Sequence, residues 1–136
     1  MLLLEPPFFS GTKQAGAPHT EDPATADPID LNYLVQHPNE TFLVEHKGLS
    51  MINAFIPPDA LVLVDKCIAP QNNSIVLASV NGELMIRYLK KHDYKRKLVP
   101  ANPKYPEIEI SAGMHFSILG VVTQVISDPG KLKDVC

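Results

Sequence analysis

Ser50 is the residue of this 136-residue chain whose neighbours best suit it to act as a nucleophile. It lies in Gly48-Leu49-Ser50-Met51, directly after the apolar run Thr41-Phe42-Leu43-Val44. A strand that ends in a glycine turn would present its hydroxyl. A free hydroxyl attacks poorly and needs a base beside it. A lysine amine can be that base only where burial lowers its pKa toward neutrality. The oxyanion that forms also needs donors, and the backbone amides of a tight turn, here Ser50 and Met51, can supply them. Taken alone, a serine beside a glycine is more often a turn residue than a nucleophile.

The other groups able to move protons are less well placed. His46 is read as packing or hydrogen bonding beside its strand, and His92 lies far along the chain. If Glu83 to Leu89 is a strand, Arg87 shares a face with Glu83, Met85 and Leu89, and Lys90 falls on the opposite face. Lys91 has the right parity but stands about 13 Å beyond Arg87. A guanidinium stays charged at any working pH and cannot serve as a base. Cys67 and Cys136 are too few for a disulfide framework. Neither has a Cys or His neighbour at zinc-ligand spacing, so neither a metal site nor a cofactor is expected.

The elements that must position Ser50 are mostly strands. Thr41 to Glu45 alternates Phe42 and Val44 against Leu43. Ala60 to Asp65 is a short continuous apolar run of the kind that forms a buried strand. Ser74 to Val80 and Glu83 to Leu89 flank Asn81-Gly82, the strongest hairpin signal in the chain. Lys95 to Val99 forms a further strand, and Met114 to Ile126 a long one with Gly120 as a bend or bulge. A short helix is expected from Asp30 to Gln36, capped by Asp30 and closed by Pro38. Residues 1–29, with five prolines and two glycines, read as an extended arm. The expected organisation is an arm (1–29), a mainly β domain (30–127) and a tail (128–136).

Composition narrows the class of function. Apolar residues make up 45% of the chain, which excludes global disorder, and a net charge of −3 argues against nucleic-acid binding through bulk charge. Between Met1 and His46 seven carboxylates face one basic residue, Lys13, whereas six of the twelve basic residues fall between Arg87 and Lys97. A solvated hairpin accounts for that run more simply than a docking patch for an acidic partner. The arm carries no helix-turn-helix pattern, so sequence-specific DNA binding is not expected. Met1-Leu2-Leu3-Leu4 is cut short by Glu5-Pro6-Pro7, so neither a membrane span nor a secretory signal is read there and a cytoplasmic protein is expected.

Several segments together carry a family resemblance. Ile29-Asp30-Leu31-Asn32, Gln36-His37-Pro38, Gly48-Leu49-Ser50-Met51-Ile52 and Val62-Leu63-Val64-Asp65 come first. Val80-Asn81-Gly82-Glu83, Leu98-Val99-Pro100-Ala101-Asn102 and Gly120-Val121-Val122 follow in the same order. From about residue 10 to residue 127 the chain resembles the LexA and UmuD family of self-cleaving serine–lysine peptidases. The resemblance implies a curved, partly closed β domain with a flexible N-terminal arm. It implies Ser50 as nucleophile, Arg87 at the position of the lysine base, and Ala15-Gly16 as the scissile bond. It further implies a homodimer that meets the RecA filament and the catalytic subunit of a Y-family polymerase in error-prone, SOS-induced translesion synthesis.

Three departures stand out. Arg87 replaces the base, which should impair cleavage. Pro57-Pro58-Asp59-Ala60 and Asn72-Asn73-Ser74 each lack the Gly-Asp turn usual in the family. The competing expectation is a non-catalytic interaction protein on the same fold, binding partners or forming mixed dimers.

Overall fold

Residues 28–131 are described by a computed structural model of the chain. The chain groups into two units, Met1–Tyr33 and Leu34–Cys136. In the first, the Asp30 carboxylate accepts the Asn32 amide at 3.0 Å and the Asp30 carbonyl accepts the Tyr33 amide at 3.2 Å. The helix expected from Asp30 to Gln36 amounts to one 3-10 turn, Leu31–Leu34. Asp30 caps it as expected, but so short a segment cannot offset the cost of helix nucleation. Pro38 also disfavours helical geometry at His37.

The second unit is built on seven strands: β1 (Thr41–Glu45), β2 (Leu61–Asp65), β3 (Ile75–Val80), β4 (Glu83–His92), β5 (Lys95–Val99), β6 (Ile108–Ile110) and β7 (Phe116–Ile126). They form one antiparallel sheet in the order β1-β2-β7-β3-β4-β5-β6, open at β1 and β6. The mainly β class read from the valine-rich runs is the observed one. Asn81 and Gly82 turn the β3–β4 hairpin with φ of 51° and 87°. Positive φ at both central residues is the geometry that matches strand twist in a two-residue loop.

Alternation sorts the core onto the two faces of the sheet. Val76, Ala78 and Val80 of β3 bury with Leu89, Leu98 and Val121. Leu77 points the other way and packs with Met51, Ile56, Val62, Val64 and Ile86. Because β3 is buried on both sides, it runs Ile75-Val76-Leu77-Ala78 without polar alternation, and Ser79 is its one polar residue. Burying a Leu or Val side chain contributes about 1.5–3 kcal/mol, so these two layers supply the main drive for the fold.

Close approach rather than turning explains Gly120. A Cβ placed there would lie 2.6 Å from Val64 Cγ1 and 2.9 Å from the Asp65 carbonyl oxygen. The register of β7 against β3 shifts between Leu77 and Ala78, opposite Gly120 and Ile118, so the expected bulge is present. Asp59 and Asn73 take positive φ, 68° and 74°. The two turns that lack the family's Gly-Asp therefore keep a left-handed residue, supplied by side chains that tolerate it.

Asp65 ends β2 with its side chain buried. Burial pushes its carboxyl up, but the His37 hydrogen bond and the Cys67 and Ile68 amides outweigh this and hold it below the ordinary value.

Candidate active site

The Ser50 turn hangs from the end of the β1–β2 pair. Beyond Glu45, the His46 amide donates to the Ala60 carbonyl and the Asp59 amide donates to the His46 carbonyl, both at 2.8 Å. Gly48 then reverses the chain at φ +84°, where an L side chain would be strained. A second segment clamps the turn. Asn102 Nδ2 donates to the Leu49 carbonyl at 2.9 Å, the Asn53 amide donates to the Ala101 carbonyl at 2.9 Å, and Met51 is fully buried beneath. Ser50 is 4% exposed, so its hydroxyl is fixed by packing as well as by hydrogen bonds.

Arg87 on β4 meets that hydroxyl. Its Nη1 donates to Ser50 Oγ at 2.9 Å and also to the Ile86 carbonyl at 2.8 Å. Burial pulls the Arg87 pKa below its ordinary value, opposed by the charges of Glu83 and Tyr105. The group nevertheless remains a cation. Two nitrogens in this neighbourhood are buried without a hydrogen-bond partner, Arg87 Nε and His46 Nε2. His46 is 4% exposed. Its pKa lies below the usual histidine value, chiefly through burial and secondly through the positive charge of Arg87, against a raising hydrogen bond to the Gly48 backbone.

Chemically, the guanidinium can hold the hydroxyl and would favour negative charge on it, but it cannot remove the proton. The lysines do not substitute. Lys90 Nζ is bonded to Asn73 Oδ1, and Lys91 Nζ donates to the Pro70 carbonyl at 3.2 Å, both in the β2–β3 connection. His92 is exposed beside Asp93. Two more members of the basic run are engaged locally, Lys97 near Glu107 at 3.6 Å and Arg96 over the Phe116 ring at 5.0 Å. Those contacts suit a structural, solvated hairpin.

Ser50 and Arg87, paired in the sequence reading only through resemblance, are thus adjacent in space. The Met51 carbonyl accepts the amides of Ala54 and Ile56, at 3.0 Å and 3.2 Å, which fixes the peptide after Met51. Ala15 and Gly16 lie outside the described residues. Sequence reasoning did not find the burial of His46 beside Arg87 or the part played by Tyr105. Asn102 belonged to a quoted motif, but its clamp on Leu49 had no local signal.

Ser50 thus lies in a strand-end turn with the Arg87 guanidinium of β4 against its hydroxyl. The chain belongs to the peptidase S24-like family, whose pattern matches residues 7–123. Among its relatives, Protein ImpA of Salmonella typhimurium is 31% identical over 128 residues, covering 93% of this chain and 87% of that protein. Protein SamA of Salmonella typhimurium strain LT2 is 33% identical over 121 residues, covering 88% and 84%. A LexA repressor from a Nocardioides species is 32% identical over 116 residues, covering 85% of this chain but 46% of the repressor. Among the described residues no helix is long and apolar enough to cross a membrane.

Proposed function

We propose that this chain is an SOS-response accessory protein of the UmuD type, serving error-prone translesion synthesis, in which self-cleavage at Ala15-Gly16 is impaired. The observation that carries this reading is the 2.9 Å contact from Arg87 Nη1 to Ser50 Oγ. It supports Ser50 as the nucleophile position and Arg87 as the position of the family's lysine base. Near full-length similarity to the ImpA and SamA proteins favours the UmuD type over a whole repressor. The amides of Ser50 and Met51 would form the oxyanion hole. The partners are a second copy of the chain, the RecA filament and a Y-family polymerase subunit, in the cytoplasm.

Proton removal is the step the site lacks. General-base assistance is worth about 10²–10⁴-fold, so an intact geometry without it cuts slowly. The same contact favours a second reading, a non-catalytic partner that keeps the groove and forms mixed dimers. Intact-mass measurement after incubation with an activated RecA filament tests both. The unmodified chain should stay whole, and Arg87→Lys should be cut between residues 15 and 16. Efficient cutting of the unmodified chain, abolished by Ser50→Ala, would overturn the impaired reading. An uncut Arg87→Lys chain that still associates with the other partners would favour the second.

A further inference from the structure

At the other end of β1 and β2 the fold assembles a donor set that the peptidase chemistry does not use. His37, Asp65 and Cys67 bring a ring nitrogen, a carboxylate oxygen and a sulfur within 4.8 Å of one another. His37 Nδ1 donates to Asp65 Oδ2 at 2.6 Å, and the Cys67 amide donates to Asp65 Oδ1 at 2.8 Å. The Asp65 side chain is 2% exposed, that of His37 40%, and Cys67 is exposed. One anchored acid therefore lies below two ligands that face outward.

The backbone around the set is tied from both sides. Thr41 Oγ1 donates to the His37 carbonyl at 2.8 Å, and the Lys66 amide donates to the Glu40 carbonyl at 2.9 Å. These bonds join the segment before β1 to the turn after β2, so the backbone that carries the three donors is held before any ligand arrives. Ser50 lies beyond the far end of β1, roughly 15 Å away along the strand.

We propose that His37, Asp65 and Cys67 form a binding site for a thiophilic divalent cation of the zinc type. Nitrogen, oxygen and sulfur donors together suit zinc better than the harder magnesium or calcium, which favour all-oxygen sets. Carboxylate and thiolate balance the two charges of the cation, and the imidazole binds as a neutral ligand. Three protein ligands leave a fourth tetrahedral position for water, the pattern of an open site. Bonds of about 2.0–2.3 Å place tetrahedral donors about 3.3–3.8 Å apart. The His37–Asp65 pair must therefore open by roughly an ångström, and the exposed Cys67 thiol must swing inward. Thiolate coordination releases the thiol proton to solvent, and the neutral imidazole keeps its single N–H on the nitrogen that does not bind the cation.

The test is titration of the untagged full-length chain with zinc chloride by calorimetry, and with cobalt(II) by absorption spectroscopy. One cation per chain is expected, with a thiolate-to-cobalt charge-transfer band. Cys67→Ser and His37→Gln should each weaken binding by at least about 10–100-fold, the loss seen when even indirect supports of a metal are removed. Cys136→Ser should leave binding unchanged. Zinc should raise the melting temperature of the unmodified chain and not that of Cys67→Ser, whose exposed position keeps the variant folded. Absence of binding, or binding that survives Cys67→Ser with no charge-transfer band, would overturn the site and leave His37 and Asp65 as a plain hydrogen-bonded pair.

Discussion

At one end of the β1–β2 pair Arg87 donates to Ser50, while Arg87 Nε and His46 Nε2 are buried without partners. At the other end Asp65 is buried as deeply, yet both of its carboxylate oxygens accept hydrogen bonds. A buried donor or acceptor left unpaired costs about 1–3 kcal/mol. A region kept only for stability would shed that cost by exchanging side chains, and unpaired groups persist where a site has other duties. The Ser50 end is thus an incomplete arrangement resting on a firm scaffold. The Asp65 end is complete as a hydrogen-bonded pair and gains a further role only through the neighbouring thiol.

Exchanging the cation at the first end should have the largest effect. Arg87→Lys supplies an amine that burial can neutralise, and RecA-stimulated cleavage should rise by about 10²–10⁴-fold in a time course of intact mass. A cleavage rate unchanged from the parent would show that the two ends differ in more than the missing base.

Next in size is a change confined to the second end. Gly120→Ala drives a Cβ against Val64 and the Asp65 carbonyl, and the backbone atom cannot yield. Urea unfolding should show a loss of about 1–3 kcal/mol, as overpacked cores do. A neutral result would mean that β2 and β7 separate easily there.

A smaller gain is expected near Ser50. Phe55 caps the 3-10 turn Ile52–Ala54 at φ 63° and is 88% exposed, so its ring contributes little packing. Phe55→Gly should stabilise the chain by about 1 kcal/mol by relieving the left-handed strain. A loss instead would show that the ring is covered in the assembled protein.

The finest probe is pH. The folded protein holds the His46 pKa below its ordinary 6.5 through burial and the charge of Arg87, while the hydrogen bond to the Gly48 backbone opposes this only in part. On acidification the unfolded chain binds its proton first. The His46 contribution is therefore intact above the unfolded pKa and is lost as pH falls through it toward the folded value. Stability measured from pH 7.5 down to about 5 should fall more steeply for the parent than for His46→Leu. Parallel slopes would remove His46 from the account of the first end.

How much of this could be read in advance follows from range along the chain. Strands β1, β2, β3 and β7 were marked by apolar runs, the β3–β4 turn by Asn81-Gly82, and β5 was expected at Lys95–Val99 although three of its five residues are basic. β6 was missed because Ile108–Ile110 is three residues long and follows Pro103 and Pro106, too short for any period to show. The Ser50–Arg87 pair was legible only by resemblance, since 37 residues separate its members. His37 and Asp65 are 28 residues apart, so the spacing rule that set Cys67 aside had no means of bringing His37 to it. His46 looked like an ordinary strand-end histidine, and its burial depends on packing that no local pattern encodes.

β7 carries one more consequence. Among the described residues β7 is the strand bonded to both β2 and β3, so within the sheet it joins the β1–β2 pair to the β3–β6 block, while Asn102, Ala101 and Arg87 bond the Ser50 turn to that block from outside the ladder. Ser50 belongs to the first group and Arg87 to the second. If β2 peels from β7 and the Asn102–Leu49 and Asn53–Ala101 bonds open with it, the serine and the arginine part company while β3, β4 and β5 keep their own ladders. Backbone amides of β1 and β2 could then exchange with deuterated solvent through this sub-global opening, at a lower free energy than amides shared by β3 and β4. The lifetime of the Ser50–Arg87 contact therefore depends in part on a seam that lies two strands away from Arg87.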